Sequence, residues 1–263
     1  MRKKLFLITC LLILLTPLFL FFSIITNQNS LSNIKAFYWV WAGQDNLNPN
    51  IDLLKKFCNV QTYCELEEPH IHIMTFDRNS KFNYHLNKNL LESLDKSKEN
   101  MILTFRLEKL PNIYDVGDIY YKYKSIFNNY GFKVDGIEID YDSPSYKITT
   151  YLNWLRKLSL ILNNKPIEIT GLRTWIDDNK SDTIKLLNEV KKINFQLYQN
   201  DKNIFPPQSF FKFINNNENA HLAIICNDFK FLKRILNNID KTKDLSIGFF
   251  NYNSCHINTS DKY

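Results

Sequence analysis

The feature that most constrains the fold is a repeated alternation between short apolar runs and longer segments with helical spacing. Segments such as 119–127 and 151–162 place their apolar residues on one helical face. Strands that alternate with helices pair in parallel through right-handed crossovers, and eight is the strand number of a (β/α)8 barrel. We therefore predict an α/β fold, a (β/α)8 TIM barrel over residues 34–258. The eight runs are Ala36–Trp41, His70–Phe76, Met101–Leu107, Val134–Asp142, Pro166–Leu172, Phe195–Gln199, His221–Cys226 and Leu245–Tyr252.

The N-terminus differs in character from the rest of the chain. A basic start, Met1–Lys4, precedes the almost uncharged apolar run Leu5–Ile25, which has about the length that spans a bilayer. Residues 1–28 are predicted to be a transmembrane anchor or a signal peptide, outside the fold itself. The domain that follows is then expected outside the cytosol, anchored to the membrane by this segment or secreted.

Cysteines and charge limit the classes of partner. In an oxidising compartment Cys58, Cys64, Cys226 and Cys255 can form disulfides, and the sequence leaves their connectivity open. The formal charge is +6, and the lysines are scattered rather than gathered into a stripe, which argues against nucleic-acid binding. The sequence has no C-x-x-C, no Gly-rich phosphate loop, no G-x-S-x-G and no H-E-x-x-H. No metal and no cofactor are predicted.

The fourth run, VDGIEIDYD, carries an unusual acidic face. Strict alternation places Ile137, Ile139 and Tyr141 on one side, so the opposite side should point into the barrel. Carboxylates that share an interior face repel one another and lose hydration, which should raise at least one pKa. A purely structural interior would use Val, Ile and Leu, so a functional role is favoured. The inward acids are Glu138, Asp140 and Asp142.

This run resembles a known motif. The pattern Asp135-Gly136-x-Glu138-x-Asp140-x-Asp142 is similar to the D-G-x-D-x-D-x-E signature on the fourth strand of glycoside hydrolase family 18, the chitinase-type barrels. It resembles more closely an uncharacterised family of glycosidase-like barrels whose acidic pattern ends in Asp. The resemblance implies that Asp142 protonates the leaving oxygen and that Asp140 orients a substrate N-acetyl group. Two departures are Glu138 in place of an Asp, and Asp142 in place of the catalytic Glu.

The sixth run contributes supporting groups. Gln196 and Tyr198 share a face, with Asn200 beyond the strand end. The segment resembles its counterpart in the chitinase-type barrels, which implies that the Tyr198 hydroxyl helps to hold the reacting carbonyl oxygen. Gln196 and Asn200 are expected to bind substrate.

Other candidates lie at neighbouring strand ends. Arg106 has the parity to enter the mouth, where its guanidinium can pair with Glu138 or Asp140, or contact an anionic substrate. Trp39 and Trp175 are candidates for stacking on a sugar ring, and Trp175 is favoured because it follows the predicted strand end.

We therefore predict a glycosidase-like barrel that hydrolyses glycosidic bonds in a cell-surface or secreted polysaccharide. The alternative is a catalytically inactive barrel that binds glycans, and a third interpretation has the acidic cluster holding a divalent cation. His70 and His72, at the start of the second run, are interpreted as structural residues far from the mouth. The predicted catalytic residues are Asp142, Asp140, Glu138 and Tyr198, and the predicted carbohydrate-binding residues are Gln196, Arg106, Trp175, Trp39 and Asn200.

Overall fold

The computed structural model describes residues 34–41, 64–94, 100–199, 202–203, 205–225 and 229–250. The predicted anchor, Asn200 and the cysteines at 58, 226 and 255 lie outside the described residues. Among the helices that are described, none combines the length and the apolar character that a membrane crossing needs.

Eight parallel strands close into a barrel. The hydrogen-bonded order runs β12, β11, β8, β7, β6, β5, β3 and β1, and β1 returns to pair with β12, so the sheet closes on itself. The prediction of an eight-stranded parallel barrel with surrounding helices is confirmed. The barrel strands are β1 (Ile34–Trp41), β3 (His70–Phe76), β5 (Asn100–Leu107), β6 (Lys133–Asp140), β7 (Ile167–Leu172), β8 (Lys192–Gln196), β11 (Ala220–Ile225) and β12 (Leu245–Phe250).

Short strands and helices complete the described architecture. The additional strands are β2 (Cys64–Leu66), β4 (Phe82–Tyr84), β9 (Tyr198–Gln199) and β10 (Lys202–Asn203). The helices are α1 (Lys88–Ser93), α2 (Ile113–Asn129), α3 (Ile148–Ile161), α4 (Thr174–Asp178), α5 (Lys180–Glu189), α6 (Gln208–Asn216) and α7 (Phe229–Leu236), with a 3-10 turn at Ser145–Lys147.

Strand β6 shows why the acidic run folds as it does. Ile137 and Ile139 are fully buried against the helical layer, and the alternate residues Glu138 and Asp140 are equally buried on the interior face. Burial on both faces is the rule for strands of parallel barrels, so the acids of β6 are buried although they alternate with apolar residues. The strand ends at Asp140, two residues before the end of the predicted run.

The predicted bounds of the sixth run are wrong at both ends. Strand β8 starts at Lys192, three residues before the predicted start, and it ends at Gln196, so that Leu197 separates it from β9. Lys192 and Asn194 are polar residues on the interior face, so this part of the strand does not read as an apolar run.

Gly248 makes room for large rings inside the barrel. A β-carbon at this position would collide with the rings of Trp39 and Phe37 on the adjacent strand β1. The absence of a side chain on β12 therefore lets the Trp39 indole extend across the interior toward β6.

Hydrogen bonds connect the loops that follow β6 and β7. The Trp175 indole donates to the Ser143 carbonyl at 2.6 Å, and the Ser145 hydroxyl donates to Asp178 at 3.1 Å. The Asn179 amide also donates to the Ser145 carbonyl at 3.3 Å. These contacts fix the backbone that immediately follows the acidic strand, at the C-terminal face of the barrel.

Candidate active site

Glu138 occupies the middle of the barrel interior and is completely buried. Three donors reach its Oε2 atom: the Trp39 indole at 2.5 Å, His70 Nδ1 at 3.0 Å and the Thr104 hydroxyl at 2.8 Å. The Asn194 amide donates to Oε1 at 3.2 Å. Both carboxylate oxygens are therefore engaged by neighbouring strands.

These contacts decide the charge of Glu138. Burial alone would raise its pKa, but the electrostatic interaction with His70 and the hydrogen bonds from His70, Trp39 and Thr104 outweigh burial and lower the pKa. Glu138 is therefore a fixed carboxylate, in contrast to a proton-exchanging acid.

Asp140 lies nearer the mouth and is 3% exposed. The Arg106 guanidinium donates to Oδ2 at 3.2 Å and the Thr170 hydroxyl donates to Oδ1 at 2.6 Å. Burial raises the pKa of Asp140 to about 6, and although Arg106 opposes this, the charges of Asp142 and Glu138 add to the rise. Of the two partners that the sequence allowed for Arg106 in the acidic run, the structure pairs it with Asp140.

Asp142 is the outermost acid and is exposed to solvent. The Gln196 amide donates to its Oδ1 atom at 3.2 Å, so strand β8 holds a carboxylate that follows the end of β6. The predicted pair of acids thus consists of one buried and one accessible group on the same face, which gives them different environments.

Tyr198 lies beside the same acids. Burial raises the pKa of its phenol well above the usual value, and the charges of Asp140, Asp142 and Glu138 raise it further. The hydroxyl therefore stays protonated at neutral pH and can serve as a donor. The structure brings Tyr198 and Gln196 to the acidic strand.

The two predicted stacking residues lie elsewhere. Trp175 is 0% exposed and its indole N–H is used by the Ser143 carbonyl, so it supports the loop beneath the mouth. Trp39 is 4% exposed and donates to Glu138. Because both rings are buried, neither presents an open face on which a sugar could stack, and the two residues instead support the interior and the loop through their indole N–H groups.

His70 corrects another expectation. It lies inside the barrel against Glu138 and stacks on Phe37, with ring centroids 4.2 Å apart. Sequence reasoning also missed Thr104 and Asn194, which donate to Glu138. A signal was present, because these two residues lie two positions before the singled-out Arg106 and Gln196 and therefore share their faces.

A second charged cluster forms the floor of the barrel. Glu168 is completely buried and lies 3.0 Å from Lys191, 3.6 Å from Lys192 and 3.7 Å from His70 Nε2. Lys192 also pairs with Glu67 at 3.0 Å. His70 thus lies between the floor carboxylate and Glu138.

The described residues show two further features, one concerning metal ligands and one concerning a cavity. No group of three or more His, Cys, Asp or Glu side chains is placed to hold a metal ion in the part of the chain that the structure describes. A polar cavity of about 420 Å³ lies by the connections that precede β11 and β12, at the opposite end from Asp142. It is lined by Asn215, Glu218, Asp240, Thr242, Lys243 and Asp244.

Similarity to known proteins agrees with this architecture. A family model described as a domain of unknown function, DUF3142, matches residues 101–217, the segment that contains β5 to β8 and the acidic strand. No curated protein matches the chain in sequence.

Solved structures share the fold at low sequence identity. The spore cortex-lytic enzyme SleL of Bacillus megaterium QM B1551 superposes with a TM-score of 0.51 at 12% identity, over 74% of this chain and 51% of SleL. The catalytic domain of a family GH18 chitinase from the fern Peteris ryukyuensis superposes with a TM-score of 0.50 at 10% identity, over 86% of this chain and 94% of that domain. The chain spans about half the length of SleL. The shared feature is a glycosidase-like barrel fold.

Proposed function

We propose that this protein hydrolyses glycosidic bonds in a cell-surface or secreted polysaccharide, with Asp142 as the proton donor and Asp140 as its partner. The observation that carries the proposal is the pairing of an exposed Asp142 with a buried Asp140 whose pKa is raised to about 6. Glycoside hydrolysis uses a pair of carboxyl groups, and one member of the pair must deliver a proton to the leaving oxygen.

The geometry supports a division of roles. Asp142 is the acid that a glycosidic oxygen can reach from solvent, and Gln196 orients it. Asp140 holds a proton at mildly acidic pH and lies one step inside on the same face. This proton moves from Asp140 to Asp142 and from there to the leaving oxygen as the glycosidic C–O bond breaks. The substrate acyl oxygen, or water, forms the new bond to the anomeric carbon, and the negative charge left on the two acids stabilises the positive charge that develops on the sugar ring.

Tyr198 and Asp140 suit a substrate with an N-acyl group. The protonated phenol can donate to the acyl oxygen, and Asp140 can orient the amide, the role that the chitinase-type resemblance implies. Both solved structures named above are of enzymes, one called spore cortex-lytic and the other a chitinase, which supports a sugar polymer as the substrate class. The Asp142 side chain is one methylene shorter than Glu, so the substrate must sit about 1 Å deeper.

Hydrolysis is tested with the purified full-length protein and a panel of polysaccharides, by measuring released reducing ends. Asp142→Asn should abolish release while leaving the thermal unfolding temperature nearly unchanged. Asp135→Asn is the matched control, because this residue lies on the same strand with opposite parity and pairs with Lys133 at 2.9 Å.

Two outcomes would contradict the proposal. Unchanged turnover in the Asp142→Asn variant would remove Asp142 from the chemistry. Glycan binding by the wild-type protein with no released sugar from any polymer would instead favour the non-catalytic glycan-binding barrel.

We also propose that residues 1–28 place the barrel outside the cytosol, as an anchor or as a removed signal. The basic start and the apolar run support this orientation. Protease treatment of intact cells should degrade the barrel if it is anchored outside, and full protection without release into the medium would contradict the placement.

A further inference from the structure

His70 is held between two buried carboxylates. Its Nδ1 lies 3.0 Å from Glu138 and its Nε2 lies 3.7 Å from Glu168, and all three side chains are at most 1% exposed. Phe37 stacks on the imidazole face, so the ring cannot turn away. An imidazole in this setting has one partner toward the mouth and one toward the floor.

We propose that His70 is a positioning residue of this site: it holds Glu138 as a carboxylate, and the charge on Glu138 in turn favours the protonated form of Asp140. The inference rests on the proposed function for its catalytic meaning. It assigns Glu138 as a fixed charge and Asp140 as the buried acid of this strand that exchanges a proton.

The donors around Glu138 carry the first step. An indole N–H can only donate, so Trp39 is suited to a carboxylate and offers no acceptor to a protonated acid, and the Asn194 amide NH₂ donates to the other carboxylate oxygen. His70 is the one group among the four donors that can also supply positive charge. Without it, a completely buried carboxylate would keep only neutral donors.

The floor cluster leaves His70 available for this task. Glu168 faces Lys191 at 3.0 Å and Lys192 at 3.6 Å, so two lysines already compensate its charge. His70 Nε2 is 3.7 Å from Glu168, longer than a hydrogen bond, whereas Nδ1 is within hydrogen-bond distance of Glu138. The imidazole therefore acts mainly on Glu138.

The second step runs along strand β6. Glu138 and Asp140 are alternate residues on one interior face, paired in register with Thr104 and Arg106 of β5. Burial is the largest cause of the raised pKa of Asp140, and the Glu138 charge contributes in the same direction. The charged or titratable groups that face Asp140 are Arg106, Asp142, Glu138, Tyr151 and Tyr198.

The test is a direct titration of Asp140 in the full-length protein, followed by carboxyl ¹³C NMR with labelled aspartate and assigned with Asp140→Asn. His70→Gln and Glu138→Gln should each lower the Asp140 midpoint by on the order of one pH unit, because each removes the Glu138 charge. The double variant should show no further fall, since His70 acts through Glu138.

His221→Gln is the matched control. His221 is also a barrel-interior histidine, but its Nδ1 accepts from the Ser246 backbone N–H at 2.9 Å. Its replacement should leave the Asp140 midpoint in place.

Several results would overturn the inference. An unchanged or raised midpoint in His70→Gln would mean that Glu138 stays ionised without His70, and additive shifts in the double variant would mean that His70 acts independently. If His70→Gln does not fold, ¹⁵N NMR of the wild-type ring decides, because an Nδ1 without a proton cannot hold Glu138. No substrate is used, so a failure to find hydrolysis leaves this test standing, and hydrolysis found with an unmoved midpoint removes only the inference.

Discussion

The buried Asp140 should lower the free energy of unfolding of the protein, and Asp140→Asn tests this. Burial raises the pKa of Asp140 from 3.8 to about 6. Between these pH values the unfolded chain releases a proton that the folded protein keeps, so folding stability falls as the pH rises from about 4 to about 6. Above pH 6 both states are ionised and the full cost remains. At about 1.4 kcal/mol for each pKa unit, this cost is about 3 kcal/mol.

Asparagine cannot ionise, and Thr170 can still donate to its amide oxygen. Urea unfolding at pH 4.5 and pH 8 should therefore show that the stability of Asp140→Asn relative to wild type improves by about 2 kcal/mol at the higher pH. Asp135→Asn, on the outward face of the same strand, should show no such improvement. A difference between variant and wild type that stays constant across this pH range would refute the reasoning that burial dominates at Asp140.

Two further predictions concern the barrel interior. Gly248→Ala should lower the free energy of unfolding by about 1–3 kcal/mol, because the added methyl meets the rings of Trp39 and Phe37. In urea unfolding, Gly248→Ala should cost less in a Trp39→Phe background than in wild type, and a Gly248→Ala variant as stable as wild type would contradict the packing described here. His72 is buried and its pKa is lowered to about 3, chiefly by burial, so it stays neutral in the folded protein while the unfolded chain binds a proton below pH 6.5. The contribution of His72 to stability should therefore fall as the pH drops through 6.5, opposite in sign to the contribution of Asp140. Between pH 7.5 and pH 5 the unfolding temperature of His72→Gln relative to wild type should rise as the pH falls, and a constant difference would count against a neutral His72.

Much of the barrel could be predicted from the sequence because parallel strands are buried on both faces and give dense apolar runs. Strand β6 is the clearest case: its alternation correctly placed Glu138 and Asp140 inside. The same logic failed at the start of β8, where Lys192 and Asn194 put polar atoms into an interior that is normally apolar.

The role of His70 could not be found by this reasoning. Its position at the start of β3 suggested a structural residue far from the mouth, but β1 and β3 are staggered, so that His70 pairs with Trp39 near the end of β1. That stagger, set by the closure of the barrel, brings His70 level with Glu138. Trp175 was misplaced for a related reason, because the chain turns into helix α4 and the strand period no longer gives its direction.

The charged groups inside the barrel form a column that runs from the floor lysines through Glu168, His70 and Glu138 to Asp140. All of them belong to strands or to residues next to strand ends, so the strands of the barrel fix the positions of these charged groups. The surface loops can therefore change in sequence without altering this column of charges. Conversely, a substitution at the floor changes the charge next to His70, at a distance from the mouth of the barrel.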